Sequence, residues 1–234
     1  MIKRFMRFWS EERSLSVFLL LLLVYMFVIG PVARAVPVLA LASDLLFSIL
    51  LVAGVLTVEK HRILQWTTGM LVILAIAVRW ARIVCGAPGL LVWNAGLSLL
   101  VMLAFLAIVL WWVYREGPVT GHRVRGAVAA YLLLAVFFSF AYALIEYVHP
   151  GSFTLPLEGT QGIQTRPLSF LYFSVVTLTT VGFGDIAAIH PVARSLVMVE
   201  ALVGTLYPAI LLARLVTLQI ETRRRKHRPS DGDV

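Results

Sequence analysis

A chain of 234 residues that is 60% hydrophobic and 14% charged, with a mean hydropathy of +0.92, has the bilayer as its solvent, which excludes a soluble globular domain. Its formal net charge of +8 raises nucleic-acid binding, but the basic residues fall at the edges of apolar runs rather than on one folded face, so no nucleic-acid partner is expected. The single cysteine, Cys85, excludes an intrachain disulfide and points to no cysteine-based metal site.

A basic stretch, 1–13, precedes the first apolar run at 14–30. Ala33-Arg34-Ala35 resembles a leader cleavage site, but Glu11, Glu12 and the length of the run argue for a retained helix. Further runs long enough to cross a bilayer lie at 36–58, 63–84, 90–114, 124–148 and 192–220. Turn and charge residues separate them, as at Gly30-Pro31, Glu59-Lys60-His61-Arg62 and Gly86-Ala87-Pro88-Gly89. Residues 14–121 therefore read as a four-helix membrane domain. Polar residues inside spans are functional suspects, and Asp44, Arg79, Arg82 and Asn94 all fall in the outer halves of the second, third and fourth runs. Asp44 is expected to pair with Arg79 or Arg82 in a structural cluster, although the two arginines alone would also fit snorkelling.

Between the last two runs lies a segment of another kind. Pro167 suits the first turn of a helix, with Thr165 or Arg166 as its cap. The apolar and hydroxylic stretch that follows, 168–179, is too short to span. It is expected to be a re-entrant helix whose backbone other protein or water must cover. Residues 179–185 then read Thr-Thr-Val-Gly-Phe-Gly-Asp. Gly182 and Gly184 allow backbone angles that let successive carbonyl oxygens turn to one side and replace water around a bare cation.

This heptapeptide resembles the selectivity filter of potassium channels. The resemblance implies that the carbonyls of Thr180, Val181, Gly182 and Phe183 coordinate dehydrated potassium in single file, with Gly184 completing the filter and the Thr180 hydroxyl at its inner end. It also implies a supporting cuff, from which this chain departs. Phe183 replaces the usual tyrosine, Phe173 stands where many members have tryptophan, and Val176 where some bacterial members have a glutamate that pairs with the aspartate after the filter. The cuff is thus expected to be braced by aromatic packing, with Thr179 at its base and Tyr172 as the partner of Asp185. Gly204 lies 19 residues after Asp185, similar to the hinge glycine of the inner helix, and Pro208 should kink the same helix one turn on. Both residues also fit simple helix packing. By spacing, Thr205, Leu212, Ala213 and Val216 would face the inner cavity. Glu200 would either brace the short helix through Thr177 or Thr179 or titrate as a gate.

In six-helix members of this family the fourth helix often carries sensing arginines, whereas here the fourth run has no basic residue before Arg115. A charge crossing the field gains only about 2.3 kcal/mol per 100 mV, so without such charges a voltage sensor of that kind is not expected. Of the 20 lysines and arginines, fifteen lie inside and five outside if the N-terminus is cytoplasmic, which puts both termini inside and the filter at the outer face. The expected fold is an all-α membrane protein of six spanning helices plus the re-entrant helix and filter. The pore unit is 122–220, followed by a basic tail, 221–234, and four copies surround one pore in the cell membrane, prokaryotic by the chain's small size. In that tail Arg223, Arg224, Arg225, Lys226 and Arg228 serve as a topogenic anchor or meet anionic lipid. The function implied is passive potassium permeation, with no enzymatic constellation and no cofactor beyond the permeant ion. The alternatives are a non-selective cation channel, a fused-repeat potassium transporter, for which the chain is too short, or a non-conducting accessory subunit that keeps the filter.

Overall fold

The structure is a computed structural model that describes residues 11–29, 37–57, 62–114, 121–154 and 166–226. Seven α-helices are described: α1 (Glu11–Val24), continued by a π-helical turn (Tyr25–Ile29), α2 (Pro37–Thr57), α3 (Arg62–Cys85), α4 (Gly89–Tyr114), α5 (Gly121–Val148), α6 (Arg166–Leu178) and α7 (Pro191–Lys226). Each coincides with an apolar run, because only intrahelical bonding satisfies the backbone in an apolar medium. Four contain stretches long and apolar enough to cross a membrane: Leu64–Cys85, Gly89–Tyr114, Arg123–Val148 and Pro191–Arg214. In α1 and α2 the described apolar stretches are shorter, Ser16–Val28 and Leu41–Leu56. The short segment before the filter motif is helical as anticipated, and α7 runs six residues past the expected end at 220, to Lys226.

Helix α5 is the pillar of the fold. Most of its apolar span, Arg123–Val148, is buried, whereas little of the span Pro191–Arg214 in α7 is. Around it Phe18, Phe47, Leu50, Met102, Leu133, Phe140 and Phe170 form a fully buried core. Aromatic pairs carry this core from α2 to α5, with Phe47 and Phe140 centroids 5.2 Å apart. By contrast α7 leaves Met198, Leu202 and Leu212 more than half exposed.

A two-stranded antiparallel pair joins the stretch after α5 to the stretch after the filter motif. Strand β1 (Phe153–Thr154) faces β2 (Ala187–Ala188) in the register Phe153↔Ala188 and Thr154↔Ala187. Thr154 doubles the link, its Oγ1 accepting from Ala187 N at 2.9 Å. The turn leading into β1 is closed by the buried Glu146, whose carboxylate accepts from Gly151 N at 3.1 Å and Ser152 N at 2.9 Å. Ser152 O in turn accepts from Ile189 N at 2.8 Å. The end of α5 is thereby tied to the segment that follows the filter motif.

Candidate ion-conducting site

Helix α6 ends in a capping pattern that delivers the chain into the motif. Val181 N donates to Val176 O at 2.9 Å and Thr180 N to Thr177 O at 2.9 Å. Those two bonds, six-to-one and five-to-two, define a Schellman end with Thr180 in the position usually held by glycine. Thr180 has φ 62°, and it is the only non-glycine with positive φ among the described residues. A β-branched side chain in that region is strained by about 1–2 kcal/mol. Gly182 and Gly184 follow at φ 54° and 81°. Positive φ at every second residue breaks the alternation of an ordinary strand, in which successive carbonyls point opposite ways. It is the dihedral pattern that lines successive carbonyls along one side. A Cβ at Gly182 or Gly184 would meet nothing within 4 Å in the chain, so the demand for glycine there is conformational. A groove of about 560 Å³, lined by Phe173, Thr177, Thr180, Gly182 and Met198 among others, adjoins this segment.

Behind the motif, Phe173 is buried against Tyr142 and Phe153, with centroids at 5.2 and 5.8 Å. Phe170 joins the same cluster 4.8 Å from Phe153. Phe183 lies outside it and is 69% exposed. Val176 buries its side chain, Tyr172 is half-buried, and Thr179 Oγ1 turns back to Val175 O at 2.7 Å. Asp185 is exposed.

Glu200 is completely buried on α7 and accepts hydrogen bonds from the hydroxyls of Tyr142 on α5 and Ser174 on α6. The partners expected from sequence, Thr177 and Thr179, are not the ones used. Ser174 and Thr177 lie one turn apart on the same side of α6, so the helix rotation was readable and the vertical register was not. Tyr142, 58 residues from Glu200, had no local signal beyond being a hydroxyl on an apolar helix that needs a partner.

Gly204 is buried against the end of α6, where a Cβ would lie 2.2 Å from Leu178 O and 2.9 Å from its carbonyl carbon. The glycine is therefore required by backbone contact, whatever bending it permits. Pro208, four residues on within the same helix, cannot donate to Gly204 O, so one helical bond is missing at this point. Thr205, Leu212, Ala213 and Val216 are all exposed on α7, and Thr205 Oγ1 bonds back to Ala201 O at 3.1 Å. Farther along, Arg214 donates to Tyr114 O at the end of α4 and lies 4.7 Å over the Tyr114 ring.

In the four-helix region Arg79 donates to Asp44 Oδ1 at 2.6 Å and Arg82 to Asp44 Oδ2 at 3.0 Å. Arg79 also donates to Ser98 Oγ at 3.2 Å and lies 4.2 Å over the Phe47 ring. Asn94 is buried one turn before Ser98 on α4, and its Oδ1 has no hydrogen-bond partner among the described residues. Of the basic tail, α7 carries Arg223 to Lys226 in its backbone, while Arg228 lies outside the described residues, as do Lys3, Arg4, Arg7 and Thr165.

Residues 128–220 match a family model described as ion channel. An 84-residue stretch is 36% identical to the inward rectifier potassium channel Kirbac3.1 of Paramagnetospirillum magnetotacticum, covering 34% of this chain and 24% of that protein. The chain thus spans about a quarter of the length of this relative. No solved structure is a significant match. Residues 128–220, from α5 through α7, are thus similar to an ion channel domain, and the two matches point to a channel rather than an enzyme and support a potassium channel family.

Proposed function

We propose that the protein is a potassium-selective channel. Residues 180–184 form its filter, in which the carbonyls of Thr180, Val181, Gly182 and Phe183 replace the hydration shell of potassium in single file. The observation that carries this reading is the run of positive φ at Thr180, Gly182 and Gly184 directly after the capped end of α6. In this reading α6 is re-entrant, with its negative C-terminal end toward the cavity, where it favours a cation. Six helices span the cell membrane with both termini cytoplasmic, and four copies close the ring. The unit 122–220 conducts, while the four-helix domain 14–121 works without a charged fourth-helix sensor. Arg223, Arg224, Arg225 and Lys226 meet anionic lipid at the inner face, and the permeant ion is the only ligand the site requires.

The test is potassium uptake into liposomes carrying the purified protein, with sodium uptake measured alongside. Potassium is expected to enter well ahead of sodium. Gly182→Ala should abolish the flux, because alanine resists the left-handed conformation at about 1–2 kcal/mol per copy. Equal potassium and sodium fluxes, both untouched by Gly182→Ala, would refute the proposal.

A further inference from the structure

The inner end of the proposed filter segment is approached by two helices, α7 at Gly204 and α5 at a tyrosine that no recognisable motif marks. Leu178 is the last residue of α6, and its carbonyl shares one peptide plane with Thr179 N. The cap of α6 engages the carbonyls of Val176 and Thr177. The Leu178 carbonyl lies past that pattern and is one of the orphan acceptors at a helix end. Its donor comes from α5, where the Tyr131 hydroxyl donates to Leu178 O at 3.1 Å. Helix α7 approaches the same carbonyl at Gly204, so closely that a Cβ there would lie 2.2 Å from Leu178 O.

These two contacts are themselves connected. The Tyr131 ring stacks on Tyr207 of α7, with centroids 5.8 Å apart and planes 22° from parallel. Tyr207 is three residues after Gly204 and so lies on the same side of α7. Its hydroxyl donates back to Ala127 O on α5 at 2.9 Å. One turn of α7 therefore both touches Leu178 and orients the tyrosine that holds it. That turn contains the hydrogen bond missing at Pro208, the weak point of the helix.

We infer that Tyr131 is a positioning residue for the filter: its hydroxyl fixes the peptide plane at Leu178–Thr179 and, through it, the inner end of the filter at Thr180. Tyr207 and Gly204 make this hold follow any bending of α7 around Pro208. A movement of the inner helix then changes the filter directly. The inference rests on the reading of residues 180–184 as a filter for its functional consequence, and on geometry alone for the hold itself.

Tyr131→Phe removes the hydroxyl and keeps the stacked ring. In the full chain reconstituted in liposomes, hydrogen–deuterium exchange at residues 179–181 is expected to quicken about two- to tenfold, the worth of one neutral hydrogen bond. The acceleration should be confined to that stretch, with the potassium-over-sodium flux ratio falling in parallel. Tyr207→Phe, which keeps the stack but loses its tether, should change both readouts in the same direction and by less. Wild-type exchange at 179–181 in Tyr131→Phe overturns the inference whether or not the protein conducts. Acceleration spread equally over α5 and α7 overturns it too, since that marks general loosening. A wild-type protein that carries no potassium refutes the channel proposal instead, and the exchange result still decides this one.

Discussion

Glu200 places its carboxyl group in a fully buried site with two hydroxyl donors. Removing the acceptor strands both hydroxyls, at about 1–3 kcal/mol for each buried group left unpaired. Glu200→Leu is therefore expected to lower the unfolding midpoint of the detergent-solubilised protein clearly more than Glu200→Gln, which keeps one acceptor. Equal losses would remove the bracing role. Asp44 is the complementary case. It compensates two guanidinium groups whose side chains are only 6% and 8% exposed. Asp44→Asn should cost about 3–5 kcal/mol, because it leaves buried cations without their anion, and a denaturant series on the two proteins measures it. Asp44, Arg79, Arg82 and Glu200 all stood out in the sequence as charges in apolar runs. Which group each one met depends on how helices far apart in the chain are rotated and staggered against one another, and single-helix periodicity carries no such information.

At the scale of elements, α7 concentrates the difference between reading and structure. The sequence marked Gly204 and Pro208 as a bend, and the structure shows what stands against the glycine. A methyl group there would meet Leu178 backbone at 2.2 Å, which neither helix relieves by a rotamer change. Gly204→Ala is therefore expected to cost about 1–3 kcal/mol by overpacking and to abolish flux by displacing the end of α6. Pro208→Ala restores a donor to Gly204 O, touches nothing at Leu178, and should leave assembly intact while stiffening α7. Stability and flux measured for both variants separate the two effects; a Gly204→Ala protein that is as stable and active as wild type would contradict the contact. The helices themselves were readable because apolar runs of twenty residues have few other solutions. The β1–β2 pair was not. Two-residue strands have no periodicity, and Phe153 and Ala188 meet through a turn that Glu146 closes.

At the scale of the whole molecule, α7 and the proposed filter segment remain largely uncovered in one chain, with Val181 54% and Leu202 61% exposed. The proposed filter carbonyls of one chain could not surround an ion alone, which is why the proposal includes further copies. The proposed tetramer predicts a mass of four chains in mild detergent. The proposed orientation is testable with the chain's own chemistry. Cys85, the one cysteine, is exposed at the end of α3 and lies at the outer face if both termini are cytoplasmic. A membrane-impermeant thiol reagent should label it from outside intact cells; labelling only after lysis would invert the topology. The central claim meets its most direct test in a planar bilayer with potassium on one side and sodium on the other. The proposed filter predicts single-channel currents that reverse far toward the potassium equilibrium potential and vanish with Gly182→Ala. Currents reversing near zero, or persisting unchanged in that variant, would contradict it.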